Sequence, residues 1–521
     1  MLIAKNFLSK KDYEDAKQKG IKKFLFNEID FISPAAADEQ FVNCTKYRVE
    51  STWYTWKKNN EIIDQFKKKC PVLFELNGYD LTLAIQKAMY WSNFKTGFLW
   101  YTLEEEFSNQ KNPVIEQMHA VNPLAVKLRY YRTRINGGIK QTVFSQQPRR
   151  YETKVIHVKN NFQLGLYQNI LNDIYNERNF EVFVDPKVDQ QMLSLFTFKK
   201  FKRLTSISKN YTFPKVSFKN FDQSDWYVLN CILLHWNEIN ETYNIASNIL
   251  SANPKVVLLN EAENGIYGAL ICEVMKKNSI KVFNTMNGIK SGESQDAFVN
   301  FDKWFIWDQQ MKKLLMEKCS LSEDMLIVSG HLIEDVVRNY SYQNSLKLDP
   351  NKLKDKKVIS LFSVRGKRYV KLESLDFLYD LINKDSTYFL MIRPHPSEKP
   401  EDYILPDIPM DNYYFVEYSN NNLNDTLHDQ LFLSDLSIVF GSTVALDSKW
   451  MNVPCITYER REESLVYCID NDWIYHVKSL DELHSKMNEL LAEKKVKSMD
   501  SSKSVSGNII EELNKAFDEV L

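Results

Sequence analysis

The feature that most constrains this chain is a repeated alternation of short apolar runs with stretches of helical periodicity, and the alternation occurs in two series. In the first, from Lys154 to about His331, residues 155–158, 180–184, 256–259, 280–283, 304–307 and 325–328 read as strands. Residues 226–229 read as a further short strand, and 164–174 and 266–275 carry helical spacing. The second series starts after the Lys/Asp/Asn-rich segment 347–357, which reads as a linker. Its strands are expected at 358–362, 388–392, 413–416, 436–440 and 455–458, and its helices at 372–382, 444–451, 480–492 and 509–521. Strands separated by helical patterns of roughly 10–15 residues indicate parallel, doubly wound sheets. The expected fold class is therefore α/β, with two Rossmann-like domains facing a cleft, at 151–346 and 347–495, and a C-terminal helix over 496–521. Residues 1–150 read as an α-rich accessory region, with a strand at 22–26 and helices at 81–91 and 120–132.

A chain of 521 residues exceeds one ordinary core, which fits this division. The net charge of -1 excludes general nucleic-acid binding, which leaves a strongly basic excess, so any cationic surface is local. Met1, Leu2, Ile3 and Ala4 run directly into Lys5 and a Lys/Asp-rich segment, so no signal peptide is expected. No apolar run approaches eighteen residues, so no membrane span is expected either. The seven cysteines are scattered singly, without zinc-like spacing, as in a reduced cytoplasmic protein.

Two motifs in the second series carry chemistry. The strand run 388–392 leads into Arg393, Pro394, His395, Pro396 and Ser397, and the prolines prevent helical continuation. Strand ends of this kind are where open α/β sheets place ligand groups. Further on, the run 436–440 stops at Gly441, and Ser442 and Thr443 open an amphipathic helix. A strand, a tight turn and a helix N-terminus present free N–H groups and two hydroxyls, an arrangement suited to phosphate. His395 can donate to a phosphate oxygen and carry partial positive charge near neutral pH, and Arg393 can supply a fork. A histidine capping a strand end for structural reasons is the alternative. Ser363, Arg365, Gly366 and Lys367 end the first strand of this series, either as a basic loop for a diphosphate or acceptor or as a solvated turn.

These features resemble the two-domain (GT-B) glycosyltransferases of bacterial surface polysaccharides. The resemblance is strongest to those with cytidine-activated donors, namely sialyl-, polysialyl- and Kdo transferases and CDP-glycerol glycerophosphotransferases. In those families a His-Pro pair and a Ser/Thr pair of the C-terminal half bind the donor nucleotide and phosphate. The resemblance thus implies donor-binding roles for His395, Pro396, Ser442 and Thr443. It implies a nucleotide-sugar as co-substrate, with no resident cofactor, and a glycan or lipid-linked glycan as acceptor.

In the first series, Asn260, Glu261, Ala262, Glu263, Asn264 and Gly265 follow the run 256–259. Two carboxylates at a strand's C-terminal end are candidates for the base that deprotonates an acceptor hydroxyl, Glu261 first and Glu263 second. Glu263 equally suits a helix-dipole role. Met286, Asn287 and Gly288 follow the next strand, where the resembling families often have Gln-His-Gly. Asn287 replaces that histidine and is expected to orient a substrate by hydrogen bonds, with Gly288 permitting a close turn. Glu293 and Asp296 are reserve bases. His428 and its Asn-rich approach, 417–424, fit either a nucleotide-covering segment or a surface loop, and Asp447 fits a buried helix partner. Without an Asp-x-Asp pattern at a strand end, metal-independent transfer is expected, the leaving phosphate being stabilised by cationic groups and a helix N-terminus. Residues 117–151 and 191–221 are strongly basic, and the second carries Phe196, Phe198 and Phe201. They suit either a solvated face or an anionic membrane surface at the inner face of the membrane.

Overall fold

The computed structural model describes residues 2–4, 23–26, 44–95, 99–102, 121–137, 153–167, 171, 180–185, 187–190, 193, 201–203, 211–290, 292, 294–349, 353–363, 369–395, 398, 412–416, 423–459, 473–492 and 507–519. Two compact units result, one of Val49–Leu99, Glu106–Ile333 and Ser506–Leu521, the other of Met1–Arg48, Trp100–Glu105 and Glu334–Val505. The change of unit falls at Glu334, ahead of the expected linker 347–357, and the C-terminal helix returns to the unit of the first series.

The first unit is built on β1 (Thr153–Val158), β2 (Phe180–Val184), β3 (Phe201–Arg203), β4 (Pro254–Asn260), β5 (Lys281–Thr285), β6 (Lys303–Ile306) and β7 (Leu326–Val328). All pair in parallel, in the order β7-β6-β5-β4-β1-β2-β3. The chain moves outward from the centre in both directions, so the order reverses between β1 and β4, the point at which open α/β sheets bind ligands. Ile156, Val158, Val182, Val256, Leu258 and Phe283 supply the sheet's side of one core. Against it packs the C-terminal helix Gly507–Asp518 through Ile509, Leu513 and Phe517, with Phe517 stacked on Phe283. This is why that helix belongs to the first unit.

The accessory region contributes helices α1 (Cys44–Lys69), α2 (Thr82–Lys95) and α3 (Pro123–Gly137). Helix α2 packs on the long helix α5 (Gln223–Ser251) and on α6 (Gly265–Lys277), α3 packs on α5, and α1 reaches α5 through Lys69, which pairs with Asp225 at 2.7 Å, while α4 (Asn161–Leu166) follows β1 and α7 (Gln309–Cys319) follows β6. Residues 226–229, expected as a strand, lie in α5. The apolar run continues at helical spacing through Ile232, Trp236 and Ile239, all buried, and Asp222 and Asp225 close a capping box at the start. Helical spacing over many turns outweighs a four-residue apolar run. A strand at Lys23–Phe26 pairs with Leu2–Ala4 in a separate three-stranded sheet.

The second unit is built on β8 (Lys357–Phe362), β9 (Tyr388–Arg393), β10 (Tyr413–Phe415), β11 (Leu436–Val439), β12 (Cys455–Tyr458) and β13 (Ile474–Val477). These six strands are parallel, in the order β10-β9-β8-β11-β12-β13, with the reversal between β8 and β11. Helices α9 (Tyr369–Lys384), α10 (Leu423–Leu433), α11 (Val444–Trp450) and α12 (Leu480–Ala492) belong to this unit, as does the short α8 (Glu334–Arg338). Its core joins Ile359, Leu361, Leu390 and Ile438 to Leu378, Ile382, Leu483 and Met487. Buried Asp429 of α10 holds the entry segment by accepting from Tyr340 Oη at 3.0 Å and from Gln343 N at 2.8 Å. Among the described residues no helix is long and apolar enough to cross a membrane.

Candidate functional site

Each reversal point gathers candidate residues. In the first unit β4 ends at Asn260, and Glu261 follows with a left-handed φ of 63°. That conformation disfavours a side chain with a Cβ and persists where surrounding contacts fix it. Three residues do so here. Asn284 of β5 accepts from the Ala262 N–H at 2.9 Å, and its amide donates to Glu263 Oε2 at 2.8 Å. Gly268 of α6 brings its backbone so close that a Cβ there would stand 1.8 Å from the Ala262 carbonyl oxygen. Asn260 Nδ2 donates to both the carbonyl and the hydroxyl of Thr285, each at 3.0 Å.

Glu261 is part-exposed, and its Oε1 accepts from Asn287 Nδ2. Burial raises the Glu261 carboxyl above its ordinary value and neighbouring Glu263 adds to this, while Lys159, Lys290 and the Asn287 bond hold it back. A carboxylate raised in this way is a stronger base when ionised, as proton abstraction requires. The Asn287 Oδ1 atom is buried with no hydrogen-bond partner among the described residues, an acceptor left over at this turn. Beside it, a Cβ on Gly288 would meet nothing within 4 Å, so the space next to this turn is open. Lys159, just past β1, lies 4.7 Å from the centre of the Tyr267 ring.

Glu263 lies in a different environment. It is fully buried and ion-paired with Lys290, itself 7% exposed. Lys290 is raised: burial alone would lower it, but Glu263 and Asp296 outweigh that. A carboxylate paired on these terms is suited to holding the turn rather than taking a proton from solvent-borne substrate. From α2, buried Lys87 donates to the Glu263 carbonyl at 2.8 Å and to the Gln295 carbonyl, with its Nζ 5.4 Å from the Trp56 ring. Burial pulls Lys87 down to about 8, against the pull of Asp296 and Glu263. Reserve candidate Asp296 is buried in this cluster, and Glu293 lies outside the described residues. The accessory region is thus wired to the Glu261 turn. Lys87 sits in the mainly apolar stretch 81–90, among Leu81, Ala84, Ile85, Ala88 and Met89, and a charge there was the available signal.

In the second unit β8 leads into Ser363, β9 ends at Arg393, and β11 leads into Phe440 and Gly441. Glu398 is the hub here, a residue with no motif in the sequence to mark it. One carboxylate oxygen accepts from Ser363 Oγ at 2.8 Å and from the His395 N–H at 2.9 Å; the other pairs with buried Lys371 of α9 at 2.7 Å. The His395 carbonyl in turn accepts from Glu398 N at 2.8 Å, and the His395 side chain is part-exposed. Ser363 and His395 are therefore held by one carboxylate. Arg393, expected to offer a fork to phosphate, is 5% exposed and donates to Gln430 at 3.0 Å and Thr426 at 2.9 Å. Those bonds tie β9 to α10. Arg365 and Pro396 lie outside the described residues, as do Gly366 and Lys367.

Gly441 has φ 72°, and a Cβ on it would stand 2.5 Å from a Glu459 carboxylate oxygen. Both facts require glycine where the strand turns into α11. Thr443 is the N-cap of α11 and is exposed, with no capping bond from its hydroxyl, and Ser442 is part-exposed. His428 and Asp447 are both buried and meet at 3.1 Å, joining α10 to α11, so Asp447 is a helix partner.

No protein-family model matches the chain, and no curated protein is significantly similar to it. Solved structures are similar at low identity. The putative UDP-N-acetylglucosamine 2-epimerase of Listeria monocytogenes aligns with TM-score 0.50 and 13% identity, over 71% of this chain and 96% of that one. The UDP-GlcNAc 2-epimerase of Neisseria meningitidis gives TM-score 0.47 and 14% identity, over 70% and 100% of the two chains. The wall teichoic acid polymerase TagF gives 0.39 and 15%, over 76% and 98%. The fold is thus α/β with two parallel-sheet Rossmann-like domains, of seven and six strands, the GT-B type of architecture.

Proposed function

We propose that the protein is a glycosyltransferase that moves a sugar from a nucleotide-activated donor to a surface or capsular glycan, with Glu261 as the base. The observation that carries this reading is Glu261 itself. A carboxylate raised by burial stands at the sheet's reversal point, bonded to Asn287 beside open space. Ionised Glu261 would take the proton of an acceptor hydroxyl as that oxygen attacks the anomeric carbon, and Asn287 Oδ1 would orient the acceptor. Donor phosphate would sit on His395, Ser363, Ser442 and Thr443, whose N–H and O–H groups stabilise the charge left on the departing nucleotide. Pro396 is assigned to the donor site from the family resemblance, Arg365 from its place in the basic loop after the strand 358–362, and Arg393 supports the site from behind. The preferred donor, also from the resemblance, is a CMP-linked acidic sugar, and no metal is needed.

A thermal-shift panel of CMP, CDP, UDP and GDP, on wild type and His395→Ala, tests the donor site. CMP is expected to stabilise the wild type and to lose most of that effect in the variant. Stabilisation by UDP or GDP alone would sink the cytidine assignment. A second reading, a nucleotide-sugar 2-epimerase, is favoured by the fold shared with the Listeria structure. It predicts turnover of a UDP-sugar without acceptor, whereas the transferase requires one. Polyol-phosphate transfer from a CDP donor would be recognised by its product.

A further inference from the structure

Helix α3 turns an apolar stripe outward. Leu124, Leu128, Tyr131 and Ile135 are 68%, 73%, 54% and 66% exposed, and their spacing of four, three and four residues stacks them along one line of the helix. This line is not a loosely held segment. On the opposite face Val126 and Tyr130 are buried, Tyr130 packs edge-on to Phe213 and Phe218, and its hydroxyl accepts from Val216 N at 3.0 Å. Asn122 caps the start by accepting from Leu124 N at 2.9 Å. One side of α3 is thus fixed to the protein, and the other offers four large apolar side chains.

Charge says what covers them. With about 100° per residue, Lys127 and Arg134 fall on one shoulder of the stripe and Arg132 on the other. Lys127 Nζ lies 5.3 Å from the Trp226 ring, Arg134 reaches Tyr130 Oη at 3.3 Å, and Arg132 is exposed. The sequence from Gln117 to Tyr151 contains no Asp or Glu at all. A second copy of this stripe would press these cations against their like, which argues against self-association. An apolar line with cations on both shoulders matches the boundary of an anionic bilayer, where the apolar groups enter the acyl edge and the cations meet lipid phosphates.

We propose that α3 lies in the plane of an anionic lipid surface, with Leu124, Leu128, Tyr131 and Ile135 inserted and Lys127, Arg132 and Arg134 on headgroup phosphates. The accessory region then acts as a membrane-docking module, and the contact stands whether or not the chain transfers a sugar.

Co-sedimentation of the full chain with vesicles, without nucleotide or acceptor, tests this separately from catalysis. Wild type is expected to pellet with equimolar phosphatidylcholine and phosphatidylglycerol, to stay in solution with phosphatidylcholine alone, and to be released by salt. Leu128→Glu combined with Ile135→Glu should weaken the partitioning by at least about tenfold. These side chains are exposed, so unchanged circular dichroism and melting are expected. Val72→Glu, at a residue 50% exposed outside the stripe, should bind as wild type does. Equal binding to both vesicle types, or unaltered binding by the double variant, would overturn the proposal. So would a wild-type dimer that the double variant dissolves, in the absence of vesicle binding.

Discussion

The side-chain amide of Asn287 donates to Oε1 of Glu261, joining the ends of two neighbouring strands, β5 and β4. A donor on this carboxylate favours its ionised form and opposes the burial that disfavours it. The pair therefore sets how much base is available at a given pH.

Glu261→Gln keeps the amide contact possible and removes the base. Turnover should fall by about 10²- to 10⁴-fold, with the melting temperature little changed. Asn287→Ala deletes the bond that lowers the Glu261 value, so its carboxyl rises further. The acidic limb of the pH–activity profile should then move to higher pH. A limb that stays in place in Asn287→Ala would remove Glu261 as the titrating base.

Lys371 and Glu398 form a buried pair, with side chains 4% and 6% exposed. Breaking one partner leaves a buried charge uncompensated, so Lys371→Met should cost about 3–5 kcal/mol in denaturant unfolding of the second unit. Adding Glu398→Gln should recover part of that loss. If the two losses simply add, the pair does not organise the loop. In folded Glu398→Gln, nucleotide affinity should drop, because the amide offers a single acceptor oxygen, for which Lys371 competes with His395 and Ser363.

How much of this was legible beforehand differs between fold and site. Strands 180–184 and 455–458 match the observed elements, because a short, mostly apolar run marks a parallel strand even where one polar residue, Glu181 or Thr457, interrupts it. Residues 226–229 misled because four apolar residues look alike in a strand and a buried helix. Strand ends locate Glu261 and Asn287 in the first unit and His395 in the second, since chain direction alone puts each at the C-terminal edge of its own sheet. Partnership does not follow from position. Arg393 looked free for a phosphate, yet its nearest acceptors, Gln430 and Thr426, lie more than thirty residues away in sequence. The pairing of Glu398 with Lys371 and the reach of Lys87 to the Glu263 carbonyl escaped for the same reason: packing between elements sets them, although Lys87 itself stood out as a charge in a mainly apolar stretch.

The donor groups assigned here are N–H and O–H donors and a histidine, and among the described residues no cluster of three or more His, Cys, Asp or Glu side chains is arranged to hold a metal ion. Transfer should therefore persist in excess EDTA and gain nothing from added magnesium or manganese. A rate that collapses with chelator and returns with metal would refute this.

Gly268 lies against the turn that carries Glu261, and a methyl group there would overlap the Ala262 carbonyl. Backbone cannot rotate away as a side chain can, so Gly268→Ala should destabilise the first unit by about 1–3 kcal/mol. Its effect on turnover should be larger than on nucleotide affinity, because the displaced turn bears the base and not the donor groups.

Lys87 links helix α2 to the same turn, and its lowered value, about 8 against an ordinary 10.5, gives a pH test of that link. Below pH 8 the amine is charged in both folded and unfolded chains, and the full penalty of burying the charge is present. Between pH 8 and 10.5 the folded chain holds it neutral while the unfolded chain still binds the proton. Unfolding then takes up a proton, so stability from this group rises with pH across that window. The stability of wild type relative to Lys87→Met should thus increase from pH 8 to 10.5, by at most about 3 kcal/mol. A difference that is flat across the window would mean that Lys87 is not buried on the Glu263 carbonyl. Loss of activity in Lys87→Met at pH 7.5, with nucleotide binding intact, would show that the accessory region positions the base.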